Sequence, residues 1–393
     1  MVDYHPYSEA VFEDPYPLYQ QLRDEQPAYY LEEFDAWFLS RFEDIWQINM
    51  NFKALSSAQG TTPGHLLVAD TPVNTSLASM DGKRHSAHRG LISPTFKPGA
   101  VKGLEPQIRR FAEEAADAVL ARGEFDVVQD YAARVAIRTV CMIGGFPEED
   151  ADQLLGWVNP IFEREPGLRG MPEAGHRAAR EMYLYFLDLI KQHQANPDET
   201  SGLLRLLLTT DLEGGLQPLD MAAYCTLLLI GGTDTFPKSF ANTLLRLYEH
   251  PEQGARVRAN PDLIPDAFHE SLRFRTPTQM LGRTLLRDVE IHDQTLREGQ
   301  KVMFLFASAN RDEREFPDPD VFDIERRPPR FLAFGCGPHL CLGMHVARLE
   351  ARLGLEALFA RIGKFEIDLD RAEPLRTEFV QGFKSLPVTF QAA

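Results

Sequence analysis

The thirty-one residues from Leu219 to Glu249 read as one helix, closed by His250 and Pro251, because proline disfavours helix in the residue before it. At 1.5 Å per residue such a helix is about 45 Å long, enough to cross a whole domain. The rest of the chain has to pack around it. Its middle reads Ile230-Gly-Gly-Thr-Asp-Thr-Phe-Pro237. Each glycine inside a helix costs roughly 1 kcal/mol and a proline about 3 kcal/mol. Pro237 also lacks an N–H, so the Thr233 carbonyl loses its usual partner. Irregular backbone tends to persist where something uses it, which makes the break a candidate for function. The alternative is a kink that lets another helix pack closely.

Elsewhere the apolar spacing is mostly helical, with amphipathic segments near 103–121, 148–158, 173–193 and 201–209. Strand-like alternation is confined to Ala36–Leu39, Arg283–Leu286, Val289–Ile291, Lys301–Leu305 and Pro387–Phe390. No repeat, low-complexity tract or Gly/Ser linker divides the chain. The pattern predicts a mainly α fold with small β-sheets, formed by residues 1–393 as a single domain. Of the 393 residues, 44% are hydrophobic, which is ample for a core of that size. The formal charge of -17 disfavours nucleic acid and anionic lipid. The four cysteines contain no C-x-x-C pair and make no disulfide framework. With no signal-peptide pattern and no apolar run near the ~20 residues that span a bilayer, a cytoplasmic monomer is expected.

The segment Phe331-Leu-Ala-Phe-Gly-Cys-Gly-Pro-His-Leu-Cys-Leu-Gly-Met-His345 runs into a helical stretch, Val346 to Phe359. Cys341 therefore falls at a helix mouth, where free N–H groups and the helix dipole favour a thiolate. A thiolate is a soft ligand suited to iron. Gly343 removes a side chain where a flat macrocycle would approach the backbone. Cys341 could instead be a small buried apolar residue, as most free cysteines are, or half of a Cys336/Cys341 metal pair, though no zinc-type spacing accompanies it. Glu270 and Arg273 lie three apart on a short helix, about 265–274, where they can pair. Taken alone, such a pair is common and worth little.

Phe334-Gly335-x-Gly337-x-His339-x-Cys341-x-Gly343 resembles the haem-binding loop of the cytochrome P450 superfamily at every fixed position. Glu270-Ser-Leu-Arg273, 71 residues before the cysteine, resembles that family's E-x-x-R helix, and Gly231-Gly232-x-Asp234-Thr235 its oxygen-binding groove. The likeness implies haem b with Cys341 as the axial thiolate and Phe334 shielding the sulfur. His85, Arg89, Arg283 and His339 are expected to hold the propionates, and Gly343 to let the macrocycle approach. Glu270, Arg273 and Arg326 are expected to form a buried ion cluster under the cysteine loop. Thr235 and Asp234 are expected to deliver protons, Thr235 closing onto the Gly231 carbonyl, while Gly231 and Gly232 leave room for dioxygen. Phe236 and Pro237 depart from the family pattern and imply a wider groove.

By the same likeness, substrate contacts fall in Gly60–Met80, Thr226–Ile230, Pro277–Leu281 and Val380–Phe383, with Thr278, Gln279, Met280 and Phe383 as the named candidates. These stretches are mostly apolar, with Asp70 the one charge, so a small, neutral, mostly hydrophobic substrate is expected. Glu163, Arg164, Glu165, Arg169 and His176, in a segment that often forms a lid, could instead point inward. No flavin or iron–sulfur motif is present. Electrons are therefore expected from NAD(P)H through an external ferredoxin and its reductase, docking near Arg109, Arg110, Arg330, Arg348 and Arg352, although Gln107 stands where relatives often carry arginine. The expected reaction is monooxygenation. Phenol coupling, dehydrogenation or peroxide-driven oxidation is the alternative, and a non-catalytic haem or ligand carrier ranks last.

Overall fold

Helices supply most of the computed structural model, which describes residues 2–69, 73, 76–165, 167–210 and 215–392. The central rod forms as two abutting helices, Pro218–Thr233 and Thr235–Glu249, with Asp234 at the joint. Asp234 keeps near-helical angles, φ -88° and ψ -56°, and its N–H still reaches the Ile230 carbonyl at 3.1 Å. The rod is therefore interrupted without a sharp turn, as expected when proline deletes one internal hydrogen bond. Its first half packs against the helices Ala133–Gly144 and Glu173–His193.

The two glycines at the break do different work. A Cβ on Gly232 would lie 2.4 Å from Val140 Cγ2, so this glycine permits close helix packing. A Cβ on Gly231 would meet nothing within 4 Å. Close packing accounts for Gly232, while Gly231 leaves open space at the break. The expectation that Gly232 makes room for dioxygen is corrected, because that position is filled by Val140.

The amphipathic segments form the helices Glu105–Leu120, Ala151–Phe162, Glu173–His193 and Gly202–Thr209. A five-stranded sheet runs in the order Ala28–Leu31, Ala36–Leu39, Lys301–Leu305, Met280–Leu285, Leu55–Ser56. It is antiparallel except where Ala36–Leu39 meets Lys301–Leu305 in parallel. The largest apolar core surrounds the central rod, and smaller cores flank the sheet. Phe236 is buried in the main core with its ring 5.9 Å from that of Phe240. Among the described residues no helix is long and apolar enough to cross a membrane.

Candidate active site

Cys341 sits three residues ahead of the helix Met344–Phe359, and its sulfur accepts hydrogen bonds from the N–H groups of Gly343 and Met344. Desolvation pushes the thiol pKa up, while those two donors and the charge of Arg89 pull it down. The side chain is nevertheless exposed. The two observations agree if the sulfur opens onto an internal cleft walled by protein. The Cys341 N–H donates to the Phe334 carbonyl at 2.9 Å, which closes the loop. Gly335 and Gly337 occupy the left-handed region at φ +68° and +70°, where a side chain would be strained. Cys336 differs in kind. It is buried, and burial pushes its thiol up to about 11. No group of three or more His, Cys, Asp or Glu side chains that could hold a metal occurs among the described residues, so a Cys336/Cys341 zinc-type site has no further ligands.

His85, Arg89, Arg283 and His339 come together although they are spread over 255 residues of sequence. The His85 and His339 rings lie 4.2 Å apart, centre to centre. Desolvation, then Arg283, His85 and Arg89, lower the His339 pKa to about 3. Desolvation likewise lowers Arg283 to about 10. The one carboxylate felt there, Asp81, is already engaged by Ser56 Oγ at 2.6 Å and the Ser57 N–H at 2.9 Å. Arg89 donates to the Leu340 carbonyl at 2.6 Å, in the cysteine loop itself. His85 Nε2 is buried with no partner. Such a cluster is short of negative charge, and this fits a dianionic cofactor whose acidic groups it would hold. A Cβ on Gly343 would stand 4.0 Å from the sulfur, so this glycine borders the sulfur directly.

Behind the loop, Arg273 is fully buried and grips both oxygens of Glu270, at 2.7 and 2.8 Å. Arg326 Nε adds a third bond to Glu270 at 3.2 Å. Arg273 also donates to the Asn310 carbonyl at 2.9 Å, while Asn310 Oδ1 accepts the Leu332 N–H at 2.7 Å. Asn310 thus ties the ion cluster to the start of the cysteine loop. Sequence reasoning gave it no role, because the tie is made by packing and has no local signature.

Gly231 is exposed and Thr235 half-buried, and the two lie one helical turn apart on the same face. The expected hydrogen bond from Thr235 to the Gly231 carbonyl is not formed. Thr233 makes the equivalent bond, to the Leu229 carbonyl at 2.7 Å. Asp234 is buried and points to another flank, where it meets Lys238 on the next turn. With Thr233, Pro237, Lys238, Phe162 and Phe383 it lines a cavity of about 260 Å³ that Gly231 and Thr235 do not line. Lys238 escaped the sequence reading, although its i+4 spacing from Asp234 was the available signal.

Two substrate expectations need correction. Met280 is fully buried beside Met303 in a core under the sheet. Gln279 is buried too, its amide nitrogen spent on the Thr377 carbonyl at 2.6 Å and its oxygen facing the Tyr19 hydroxyl at 3.4 Å. Met280 therefore offers no surface to a substrate, and Gln279, just ahead of the strand, borders a pocket with its polar atoms already engaged. Thr278 pairs with Val380 in an isolated bridge and stays half-buried. Phe383 faces the Asp234 cavity. Asp70 lies outside the described residues. In the lid segment, Arg164 clasps the fully buried Glu378 at 2.8 and 3.1 Å, and Arg169 pairs with Glu33.

The expected basic docking patch is also changed. Arg109 and Arg352 each bridge Glu105 and Glu356, at 2.7–3.1 Å, in a closed ring of alternating charge. Arg330 bridges Glu43 and Glu315 at 2.9 and 2.8 Å. Arg110 stands 3.9 Å from Glu114. Arg348 has no acidic partner among the described residues and lies 5.6 Å over the Phe334 ring.

Residues 161–391 match the family model described as Cytochrome P450. The chain is 36% identical to the putative cytochrome P450 123 of Mycobacterium tuberculosis over 391 residues, covering 98% of this chain and 96% of that one. Among solved structures it is similar to CYP109E1 of Bacillus megaterium in complex with testosterone, with a TM-score of 0.87 and 27% identity, covering 97% and 99% of the two chains. It is also similar to P450BioI in complex with an acyl carrier protein ligated to hexadec-9Z-enoic acid, at 0.85 and 29%, covering 98% and 100%. A mainly helical oxygenase built to hold haem is therefore at hand. The chain belongs to the cytochrome P450 family.

Proposed function

We propose that this protein is a haem-thiolate monooxygenase that inserts one atom of dioxygen into a small, mostly hydrophobic molecule. Haem b would be held by the Cys341 thiolate, with Phe334 and Gly343 beside the sulfur, and its propionates by His85, Arg89, Arg283 and His339. The observation that carries the reading is the pairing of an N–H-supported sulfur with a cationic cluster short of counter-charge. When bound, the haem supplies the redox chemistry, and a thiolate ligand favours O–O cleavage by pushing electron density to the iron.

The chain's own residues supply positioning and protons. Gly231 keeps the cleft open next to Thr235, whose hydroxyl can both donate and accept. Asp234, one residue earlier, connects the broken helix to the separate cavity and can act as general acid. Electrons would come from NAD(P)H through a ferredoxin and its reductase. Of the five arginines, the closed Arg/Glu ring leaves Arg348 and the loosely paired Arg110 available to such a donor. A neutral substrate is supported by the lid, where Arg164 and Arg169 are already satisfied by acids. Tight binding of a carboxylated molecule that depends on either arginine would remove that support.

The test is the carbon-monoxide difference spectrum of the reduced, haem-loaded protein. A thiolate-type band that disappears in Cys341→Ser is expected, and its absence from the unmodified protein would overturn the assignment. Screening neutral terpenoids, steroids and aromatics for a spin-state change would then narrow the substrate.

A further inference from the structure

Three arginines gather beyond the far end of the central rod, and one of them is left without an acid. Arg246 feels the charges of both Arg275 and Arg311. Arg246 is paired with Glu249 at 2.6 Å, and Arg311 with Asp320. Arg275 has no acidic partner among the described residues, and its Nε is buried with no hydrogen-bond partner. Desolvating a cation in this way costs free energy that no group of the chain returns. Arg275 lines a cavity of about 240 Å³ beside the late hairpin formed by Glu373–Leu375 and Gly382–Ser385. Gln381 lines it too, and is only 4% exposed. Its Nε2 is spent on the Thr276 carbonyl at 2.7 Å and the Tyr16 hydroxyl at 3.0 Å, which fixes the orientation of the amide. That leaves Oε1, buried and with no partner, as an acceptor. Of the other charged groups on the cavity, Arg376 is held by Glu9 and, at 3.8 Å, by Glu13. Val11, Phe12 and Leu375 supply an apolar side. None of the residues expected to hold haem lines this cavity.

We propose that this cavity is a second ligand site, built for a small organic acid that also carries a hydroxyl. The carboxylate would lie on Arg275, a charge-assisted contact. The hydroxyl would donate to Gln381 Oε1, and the carbon body would rest against Phe12 and Leu375. A neutral molecule would leave Arg275 unanswered, and an inorganic anion would leave the apolar side uncovered. Leu375 also lines the Asp234 cavity, so an occupant would brace a residue that the two cavities share. The site does not depend on the oxygenase reading, and it is distinct from the lid arginines.

The probes are 3- and 4-hydroxybenzoate, added to the haem-loaded protein and followed by calorimetric titration and by the thermal midpoint. At least one of the two should bind and raise the midpoint, without a spin-state change at the haem. Benzoate, which lacks the hydroxyl, should bind more weakly, and 4-hydroxybenzamide, which lacks the charge, should not bind. Arg275→Gln should weaken the acid about 10- to 100-fold. Because the charge has no partner in the fold, the same variant should keep or raise the ligand-free midpoint. Arg275→Lys should fall between, since it keeps the charge and loses the planar fork. Phe12→Ala, at the half-buried edge of the cavity, should weaken binding severalfold and serves as an independent second variant. Failure of both acids to bind, undiminished affinity in Arg275→Gln or in Phe12→Ala, or a spin-state change on binding would overturn the proposal.

Discussion

Glu270 and Asp234 are both buried carboxylates paired within their own helices, one at i+3 and the other at i+4, yet they are built for opposite ends. Glu270 receives both arms of Arg273, a bond from Arg326 and the Asp323 N–H. Every exit for its charge is closed. Asp234 has one lysine, one oxygen with no partner, and a cavity beside it. A third buried acid, Glu350, meets no cation among the described residues, only a hydrogen bond with Thr139, and burial raises it to about 8. The more fully a buried acid is satisfied, the more rigid the element it holds. The least satisfied are the ones whose protonation can change.

The contrast breaks most visibly at Arg273. Arg273→Met should leave the Glu270 charge with only Arg326 and the Asp323 N–H and cost roughly 3–5 kcal/mol, seen as a fall in the denaturant midpoint together with loss of haem uptake. Removing Glu350 tests the other extreme. Its neutral form is favoured in the fold, and the unfolded chain releases the proton near the ordinary value of 4.5. Between that pH and 8, stability should therefore fall as pH rises, by about 1.4 kcal/mol per pH unit. Glu350→Gln should flatten that slope, and an unchanged slope would mean the acid is not buried neutral.

Asp234→Asn should leave most of the stability in place but slow product formation about tenfold, equivalent to about 1.4 kcal/mol in the barrier, with an enlarged solvent isotope effect. Thr235→Ala should keep NADPH oxidation going while diverting it from product. Full turnover with tight coupling in that variant would argue for peroxide-type or other chemistry. The smallest effects belong to the surface. Arg109→Gln, in a ring where neighbours compensate, should change stability by less than about 1 kcal/mol and barely alter the salt dependence of reduction by ferredoxin. Arg348→Gln should reduce that dependence measurably.

The sequence carried the parts of this protein whose physics is local. Helical periodicity placed the 173–193 helix with both ends correct, and two-residue alternation found the strands Ala36–Leu39, Val289–Ile291 and Lys301–Leu305. Short strands such as Glu373–Leu375 and Gly382–Ser385 went unseen, because pairing with each other defines them and alternation over so few residues does not. The glycines, the proline and the helix mouth at Cys341 could be read in the same local way, since caps, breaks and left-handed turns depend on immediate neighbours. Three-dimensional packing decided the rest. It separated Gly231 from Gly232, turned Gln279 and Met280 inward, closed the Arg109/Arg352 ring and drew Lys238 onto Asp234. Each of these outcomes depends on which side chain from a distant segment arrives at the same place, and that is settled by burial and charge satisfaction across the whole fold.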